Sequence, residues 1–596
     1  MLALGAACAG LCWCYARLSA TFPAGSDGAS SALEGWDLLH GNWLLRGWTL
    51  TDVSFYTTEL PEYAAIELAR GFNPGVLRIA AAVTYTLLVV ASALLARGRP
   101  RGPGGGGAEG WARALIAAAI LLAPQLGNGV HVLLAQPDHT GTQVLILGTF
   151  LVLERAPRRW YTACALWALL TVAIVADKIV IVDAVVPLAF VALLHALWTR
   201  RPLAHLFELS LAVAAAASVG AAGLLLTLIG RAGGFTLLPV QTGLAAPGTV
   251  PSHLSLAWHG VLSLFGADVT AAAPGPQAAL ALLHAPGIAL AVAALAVTAW
   301  RVPNQRDLTG DVLAVGIVVN LAGFVASVIP ATPFDTREVA ALLPFGAVLA
   351  GRVFGTRVFG TRVFETRATE TQATETRATE TAAWRGSASR PAAGGRTRFR
   401  PPGSARHRLG PARAWPPAAA LAVAGACQLA ALGYGAAQPA AADPEQALAG
   451  WLAAHHLTSG LGTFNEGNLT TVDSDGRVRL LTVSWQPPAP PASRWYQPDL
   501  RTGQAAEPPQ RGGAVARLYQ SSASWYDARD HYADFVVSGT ADGSADVIPR
   551  AEILALAGPP ARTCRFQSFT IMVWDANLLT LLGAPPSRLP GVIGRP

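Results

Sequence analysis

Long apolar runs alternate with short polar connections along the chain as far as residue 436. A helix of about 20 apolar residues crosses the hydrocarbon core of a bilayer. The pattern therefore predicts an α-helical polytopic membrane protein with about eleven transmembrane helices. Their predicted positions are near 1–18, 77–96, 114–135, 142–154, 161–176, 184–199, 207–230, 279–300, 311–330, 338–351 and 416–436.

Arginine residues fall in every second connection between these runs. They follow the second, fourth, sixth, eighth and tenth predicted spans, for example at Arg97, Arg158, Arg200 and Arg301. The positive-inside rule makes these connections cytoplasmic. The other connections, and everything after the eleventh span, are then predicted to lie outside the cytoplasm. These outer connections are 19–76, 136–141, 177–183, 231–278 and 331–337.

The same reading divides the chain into four parts. Residues 1–351 form a transmembrane module with a long first outer loop at 19–76, and 416–436 is the last transmembrane helix. Between them, 352–415 is Arg-rich, begins with pentapeptide repeats, and is predicted to be a disordered cytoplasmic linker. The more polar 443–596 is predicted to be an extracytoplasmic α+β domain. Alternating β-branched runs at 477–485 and 534–537 predict two of its strands.

Composition narrows the function classes. The 596 residues are 52% hydrophobic and 13% charged, which excludes a soluble globular protein. The formal charge of +7 resides in connections on one side of the membrane, so no nucleic-acid partner is expected. No nucleotide-binding motif occurs, and no CxxC pair is present among the six cysteines. The Ala, Gly and Pro richness is typical of a bacterial protein, which would reside in the plasma membrane.

The first outer loop contains candidate chemistry. Asp27 follows the first span almost directly and precedes a predicted helix at 29–39. Its carboxylate suits either a general base or the N-cap of that helix. Trp48 is one of three tryptophans expected as interfacial anchors. Glu59 and Glu62, just before the second span, either line the loop or bind substrate.

Two cations in later outer connections are candidate phosphate ligands. Arg337 directly precedes the tenth predicted span, and its guanidinium suits bidentate phosphate binding. The alternative is a local ion pair with Asp335 or Glu338. Lys178, the single lysine, lies between the fifth and sixth spans and either binds phosphate or pairs with Asp177.

A third group occupies the short connection between spans three and four. Asp138 and His139 are adjacent there and are candidate substrate-binding residues. Together with Asp27 they supply the oxygen and imidazole ligands that a divalent cation such as Mg²⁺ or Mn²⁺ accepts. No DxD pair or tight ligand spacing accompanies them, so the sequence leaves the metal open.

This layout resembles the GT-C superfamily of membrane glycosyltransferases. The resemblance covers the many spans, the acidic first outer loop with Asp27 and the C-terminal outer domain, and at residue level it centres on Asp27. It implies transfer of a sugar from a polyprenyl-phosphate carrier to an envelope glycan, lipid or protein acceptor, with inversion. It further implies that Asp27 acts as general base and that Arg337 contacts the phosphate.

Two other function classes compete with this interpretation. A transporter or flippase for an envelope lipid or polymer would need ionisable residues deep within the spans, of which the sequence suggests few. An envelope scaffold would use the spans only as an anchor, for which about eleven spans are excessive.

Overall fold

The computed structural model describes residues 2–99, 107–135, 138–198, 202–239, 243–301, 307–355, 417–486, 513–516, 519–539 and 550–582. The pentapeptide repeats and most of the predicted linker lie outside these residues. The predicted module boundary at 351 is too early, because the helix there continues to Gly355.

A bundle of helices accounts for the first part of the chain. In chain order they are α1 Leu2–Ser19, α2 Ser26–Leu39, α3 Glu59–Arg70, α4 Gly75–Arg97, α5 Gly107–Leu121, α6 Asp138–Arg155, α7 Trp160–Ala176, α8 Val186–Trp198, α9 Pro202–Arg231, α10 Val250–Leu264, α11 Pro276–Arg301, α12 Leu308–Ala326, α13 Leu342–Gly355 and α14 Pro417–Ala436. Helices α2, α3 and α10 belong to predicted outer connections. The apolar faces of the others form one continuous core.

Within the described residues, five helices are long and apolar enough to cross a membrane. They are Gly75–Arg97, Ile181–Trp198, His205–Arg231, Pro276–Arg301 and Leu308–Ala326. A sixth arises if Pro333–Val339 and Leu342–Gly355, which meet at 46°, form one bent span. The predicted third span at 114–135 is not one continuous helix. Instead, α5 ends at Leu121 and a π-helical turn follows at His131–Ala135. The count of about eleven spans stays a prediction.

Residues in or beside four predicted cytoplasmic connections meet at one end of the bundle. Arg352 donates two hydrogen bonds to Asp307, at 2.9 and 2.6 Å. It also donates to Glu154 at 3.3 Å and to the carbonyl oxygen of Leu95 at 3.1 Å. This half-buried charge cluster ties together the ends of α4, α6 and α13 and the start of α12. The grouping of predicted connections into two sets is therefore reproduced in space.

The C-terminal domain packs on the opposite end. In its described part, six strands form a mixed sheet in the order β5-β4-β3-β7-β9-β8. The strands are β3 Ser459–Gly462, β4 Arg479–Gln486, β5 Gly513–Ala516, β7 Phe535–Ser538, β8 Arg562–Phe566 and β9 Phe569–Val573. The helices are α15 Pro444–Ala454, α16 Phe464–Asp473 and α17 Arg550–Ala557. Both predicted strands are thus present, as β4 and β7.

A second, small sheet joins the domain to the bundle. Its central strand β1, Trp48–Leu50, runs parallel to β2, Thr236–Leu237, and antiparallel to β6, Ser521–Ser522. The three strands come from the predicted outer connections 19–76 and 231–278 and from the C-terminal domain. In this register, the residues that follow β1 and β2 and those that precede β6 share one edge.

Candidate functional site

A cavity of about 580 Å³ lies beside this edge of the small sheet. Its walls include residues of all five predicted outer connections and two residues of the C-terminal domain. The lining residues are Asp27, Thr51, Asp52, Val53, Phe55, His139, Asp177, Lys178, Ile179, Val182, Leu238, Pro239, Ile329, Asp335, Arg337, Glu338, Tyr519 and Gln520. The predicted candidates Asp27, Arg337, Lys178 and His139 are therefore brought to one space.

Asp27 occupies the first turn of α2. The helix begins at Ser26 and its N-cap is Gly25, so the alternative in which Asp27 caps a helix at 29–39 is wrong. The Oδ2 atom of Asp27 lies 3.7 Å from Nη1 of Arg337. Because both side chains remain about a quarter exposed, the pair contributes little to stability and stays accessible to a ligand.

Arg337 is positioned by the 3₁₀ segment Pro333–Val339. Thr332 and Asp335 form a reciprocal capping box at its start, with the Thr332 amide donating to Asp335 at 2.6 Å. The Arg337 guanidinium lies 4.3 Å from the ring centre of Phe334, a cation–π distance. Of the two local partners predicted for Arg337, Glu338 lies 3.9 Å away, whereas Asp335 serves as a cap.

His139 lies between two carboxylates. Its Nδ1 atom is 2.6 Å from Oδ2 of Asp177, and its Nε2 atom is 3.2 Å from Oε1 of Glu338. Asp177 is fully buried and also accepts a hydrogen bond from the amide of Ile179 at 2.9 Å. This triad connects α6 to the connection after α7 and to the 3₁₀ segment. Because Glu338 is the neighbour of Arg337, the triad also holds the segment that carries Arg337 in position.

Lys178 has a different environment from its neighbour. The carboxylate of Asp177 is engaged by His139, and among the described residues Lys178 makes no ion pair. The alternative of a structural Lys178–Asp177 pair is therefore wrong. The half-buried ammonium lines the cavity as a cation with no carboxylate partner in the described chain.

Asp52 was not singled out from the sequence as a site residue. It follows β1 directly and lines the cavity. Burial, and then the negative charge of Glu338, raise the pKa of the Asp52 carboxyl above its ordinary value. The signal that could have found it is its position at the end of a strand in a long loop.

Three predicted candidates stand apart from this set. The residues described as lining the cavity do not include Glu59 or Glu62. Glu59 is buried against Gly141, with a hydrogen bond from Thr58, and burial raises its pKa well above the ordinary value. Glu62 accepts a hydrogen bond from Thr84 at 2.7 Å, and burial raises its pKa to about 7. Asp138 begins α6, and its side chain lies outside the described residues.

The metal question is constrained by the same geometry. Within the part of the chain that the structure describes, no group of three or more His, Cys, Asp or Glu side chains could hold a metal ion. Both ring nitrogens of His139 already face carboxylates. The six cysteines, all of them described, are free thiols.

Several buried ionisable groups lie within one turn of the ends of the apolar helices. His195 and Asp311 form a buried pair with Nε2 and Oδ2 2.8 Å apart. Asp183 is fully buried and accepts hydrogen bonds from Gln143 and Asn320, each at 2.6 Å. The ends of these helices therefore contain hydrogen-bonded polar groups that the linear sequence did not reveal.

No protein family and no curated protein matches the chain. Among solved structures, it is similar to the crystal structure of ArnT from Cupriavidus metallidurans in the apo state. The match covers 98% of each chain at 14% sequence identity with a TM-score of 0.49. Because the TM-score is below 0.5, this similarity carries no argument about function.

Proposed function

We propose that this chain is a membrane glycosyltransferase of the GT-C type. It would move a sugar from a polyprenyl-phosphate carrier to an envelope glycan, lipid or protein at the outer face of the membrane. The observation that carries the proposal is one cavity that combines the carboxylate of Asp27 with the cations of Arg337 and Lys178. A base and two phosphate ligands are the groups that this reaction requires.

Asp27 acts as the general base. An acceptor hydroxyl is a weak nucleophile, and a carboxylate within hydrogen-bond reach takes its proton as the new glycosidic bond forms. The acceptor oxygen attacks the anomeric carbon from the face opposite the phosphate, so the configuration at that carbon inverts. The proton ends on Asp27 and leaves to solvent after release of the product.

Arg337 and Lys178 stabilise the leaving group. As the bond between the anomeric carbon and the phosphate oxygen breaks, a second negative charge develops on the polyprenyl phosphate. Cations fixed in place before the reaction stabilise that charge without reorganising. The capping box at Thr332 and the triad of His139, Asp177 and Glu338 hold the Arg337 segment in position for this task.

The arginine distribution and the cavity walls support the outer location. All five connections predicted to face outward contribute to the cavity, and the arginine-rich connections meet at the other end of the bundle. A divalent cation is a further proposal only, with Asp27 as the described residue most suited to contact it.

The decisive experiment measures sugar transfer by the purified full chain in nanodiscs. The donors are radiolabelled polyprenyl-phosphate hexoses and pentoses, and an envelope extract supplies the acceptors. Asp27→Asn should reduce the rate by about 10²–10⁴-fold, the usual contribution of a general base. Asp530→Asn, an exposed carboxylate of the C-terminal domain, is the matched control and should keep the wild-type rate. Undiminished transfer by Asp27→Asn would remove Asp27 from the mechanism.

Transport of an envelope lipid is the second candidate, and the described ionisable groups nearest to the span interiors are pairs such as His195–Asp311, one turn from the helix ends. These groups satisfy one another, which is typical of structural pairs. The two functions separate in proteoliposomes. A transporter moves labelled lipid between leaflets without forming a glycoside, and its rate is insensitive to Asp27→Asn.

A further inference from the structure

Gln520 is an unusual residue in the cavity wall. Its backbone φ is +50°, a left-handed conformation that residues other than glycine rarely adopt. The residue is 5% exposed, and its carboxamide Oε1 atom has no hydrogen-bond partner among the described residues. It nevertheless lines the same cavity as Asp27 and Arg337.

The strained backbone is held in place from outside the cavity. The carbonyl oxygen of Gln520 accepts a hydrogen bond from Nδ2 of Asn468 at 3.0 Å. That amide also donates to Oγ of Ser30 at 2.7 Å, and Ser30 lies one turn after Asp27 in α2. The next residue, Ser521, pairs with Thr49 in the small sheet. Gln520 is therefore clamped from both sides, and the clamp is linked to the helix that carries Asp27.

A buried polar atom without a partner is rare in folded proteins and costs stability unless a ligand satisfies it. Strained backbone conformations likewise persist where function requires a fixed side-chain position. The two features coincide at Gln520, at the edge of the sheet that also presents Thr51 and Asp52. A carboxamide suits a sugar hydroxyl because each group can both donate and accept, whichever way the amide is oriented.

We propose that Gln520 is a specificity-determining residue of the transferase site, whose carboxamide hydrogen-bonds a hydroxyl group of the carbohydrate in the cavity. This inference rests on the proposed function and deepens it, since it makes the C-terminal domain part of the binding site. The hydroxyl belongs either to the transferred sugar or to a carbohydrate acceptor. Removal of the C-terminal domain would leave that hydroxyl without its recognition group.

The test compares Gln520→Gly with the wild type in the nanodisc assay. Glycine adopts a φ of +50° without strain, so this variant can keep the local backbone conformation while lacking the carboxamide. Gln567 is the matched control, because it is also a glutamine with a positive φ, +49°, but lies on the exposed turn between β8 and β9. We expect Gln520→Gly to lower kcat/KM about tenfold, and Gln567→Gly to leave it unchanged.

Deoxy substrates identify the contact. For the wild type, removing the recognised hydroxyl should reduce kcat/KM about tenfold, whereas Gln520→Gly should accept the deoxy and the parent substrate equally. If a deoxy donor shows this difference between the wild type and Gln520→Gly, the contact is with the transferred sugar. If a deoxy acceptor shows it, the contact is with the acceptor.

The two proposals fail in different ways. If neither the deoxy donors nor the deoxy acceptors show this difference, or if Gln520→Gly is fully active, the role of Gln520 is overturned while the transferase proposal stands. A wild-type protein that uses none of the donors overturns the proposed function, and the role of Gln520 with it.

Discussion

The guanidinium of Arg337 and the carboxylate of Asp27 face each other at 3.7 Å. The two residues are far apart in sequence, since Asp27 lies just after α1 and Arg337 just before α13. Their partial exposure means that solvent screens the attraction. The pair is therefore better suited to hold a charged ligand than to stabilise the fold. Its geometry depends on a column of rings behind Arg337.

The first prediction concerns that column. His131 stacks between Phe22 and Phe334, with ring centres 4.3 and 4.5 Å away, and Phe334 in turn lies under Arg337. His131→Ala should leave a gap and loosen the guanidinium, whereas His131→Phe should preserve the stack. We expect a higher KM for the donor in the alanine variant only, measured in the nanodisc assay. Equal KM values for both variants would show that the ring stack does not contribute to binding of the donor phosphate.

The second prediction concerns the buried triad. Asp177→Asn leaves the His139 imidazole without a carboxylate at 2.6 Å, and breaking one side of a buried ion pair typically costs about 3–5 kcal/mol. The melting temperature in detergent should fall clearly. Asp475→Asn, which removes an exposed pairing with Arg477 at 3.5 Å, should change it little. A small effect at Asp177 would mean that the triad is not a structural unit.

The third prediction concerns pH. Glu67 in α3 is buried, neither of its carboxylate oxygens has a partner among the described residues, and burial raises its pKa from 4.5 to about 9. The folded protein therefore keeps a proton that the unfolded chain loses. The stability contributed by Glu67 is present below about pH 4.5 and is lost as the pH rises towards about 9.

Glu67→Gln removes this titration. Between about pH 5 and pH 8 the wild type should lose at least about 1 kcal/mol more stability than the variant, seen as a larger fall in melting temperature. Glu552→Gln on the half-buried face of α17 is the control and should behave like the wild type. Parallel pH curves for wild type and Glu67→Gln would contradict the buried, protonated carboxyl.

The fourth prediction concerns the contact between domain and bundle. Asn468 is buried, and its amide bridges Ser30 of α2 and Gln520. Asn468→Ala removes both hydrogen bonds, so α2 should exchange amide hydrogens faster at Ser26–Leu39, while α4 should not change. Asn465→Ala, which replaces an exposed side chain on the same helix, is the control. Unchanged exchange in α2 would show that Asn468 does not secure this contact.

The sequence predicted the helical membrane module and two strands of the C-terminal domain, because apolar length and alternation are local signals. It also selected Asp27, Arg337, Lys178 and His139, which the structure places around one cavity. Those residues could be found since each is polar and lies beside a predicted span.

The missed features depend on contacts between distant segments. Trp48 was expected to anchor the chain at the membrane interface, yet it is fully buried in β1 and donates a hydrogen bond to Asp37 at 2.7 Å. Its strand is short and its partners come from residues 236–237 and 521–522. Asp183 and the His195–Asp311 pair were missed for the same reason, since helical periodicity does not show which helix lies opposite.

The small three-stranded sheet has a consequence for how the protein is made. Its outer strand, β6, is synthesised after all the membrane helices described here, and the cavity wall at Tyr519 and Gln520 is translated with it. A nascent chain would therefore insert its bundle into the bilayer with one side of the cavity still open. That side could be completed only after the ribosome had translated residues 519–522.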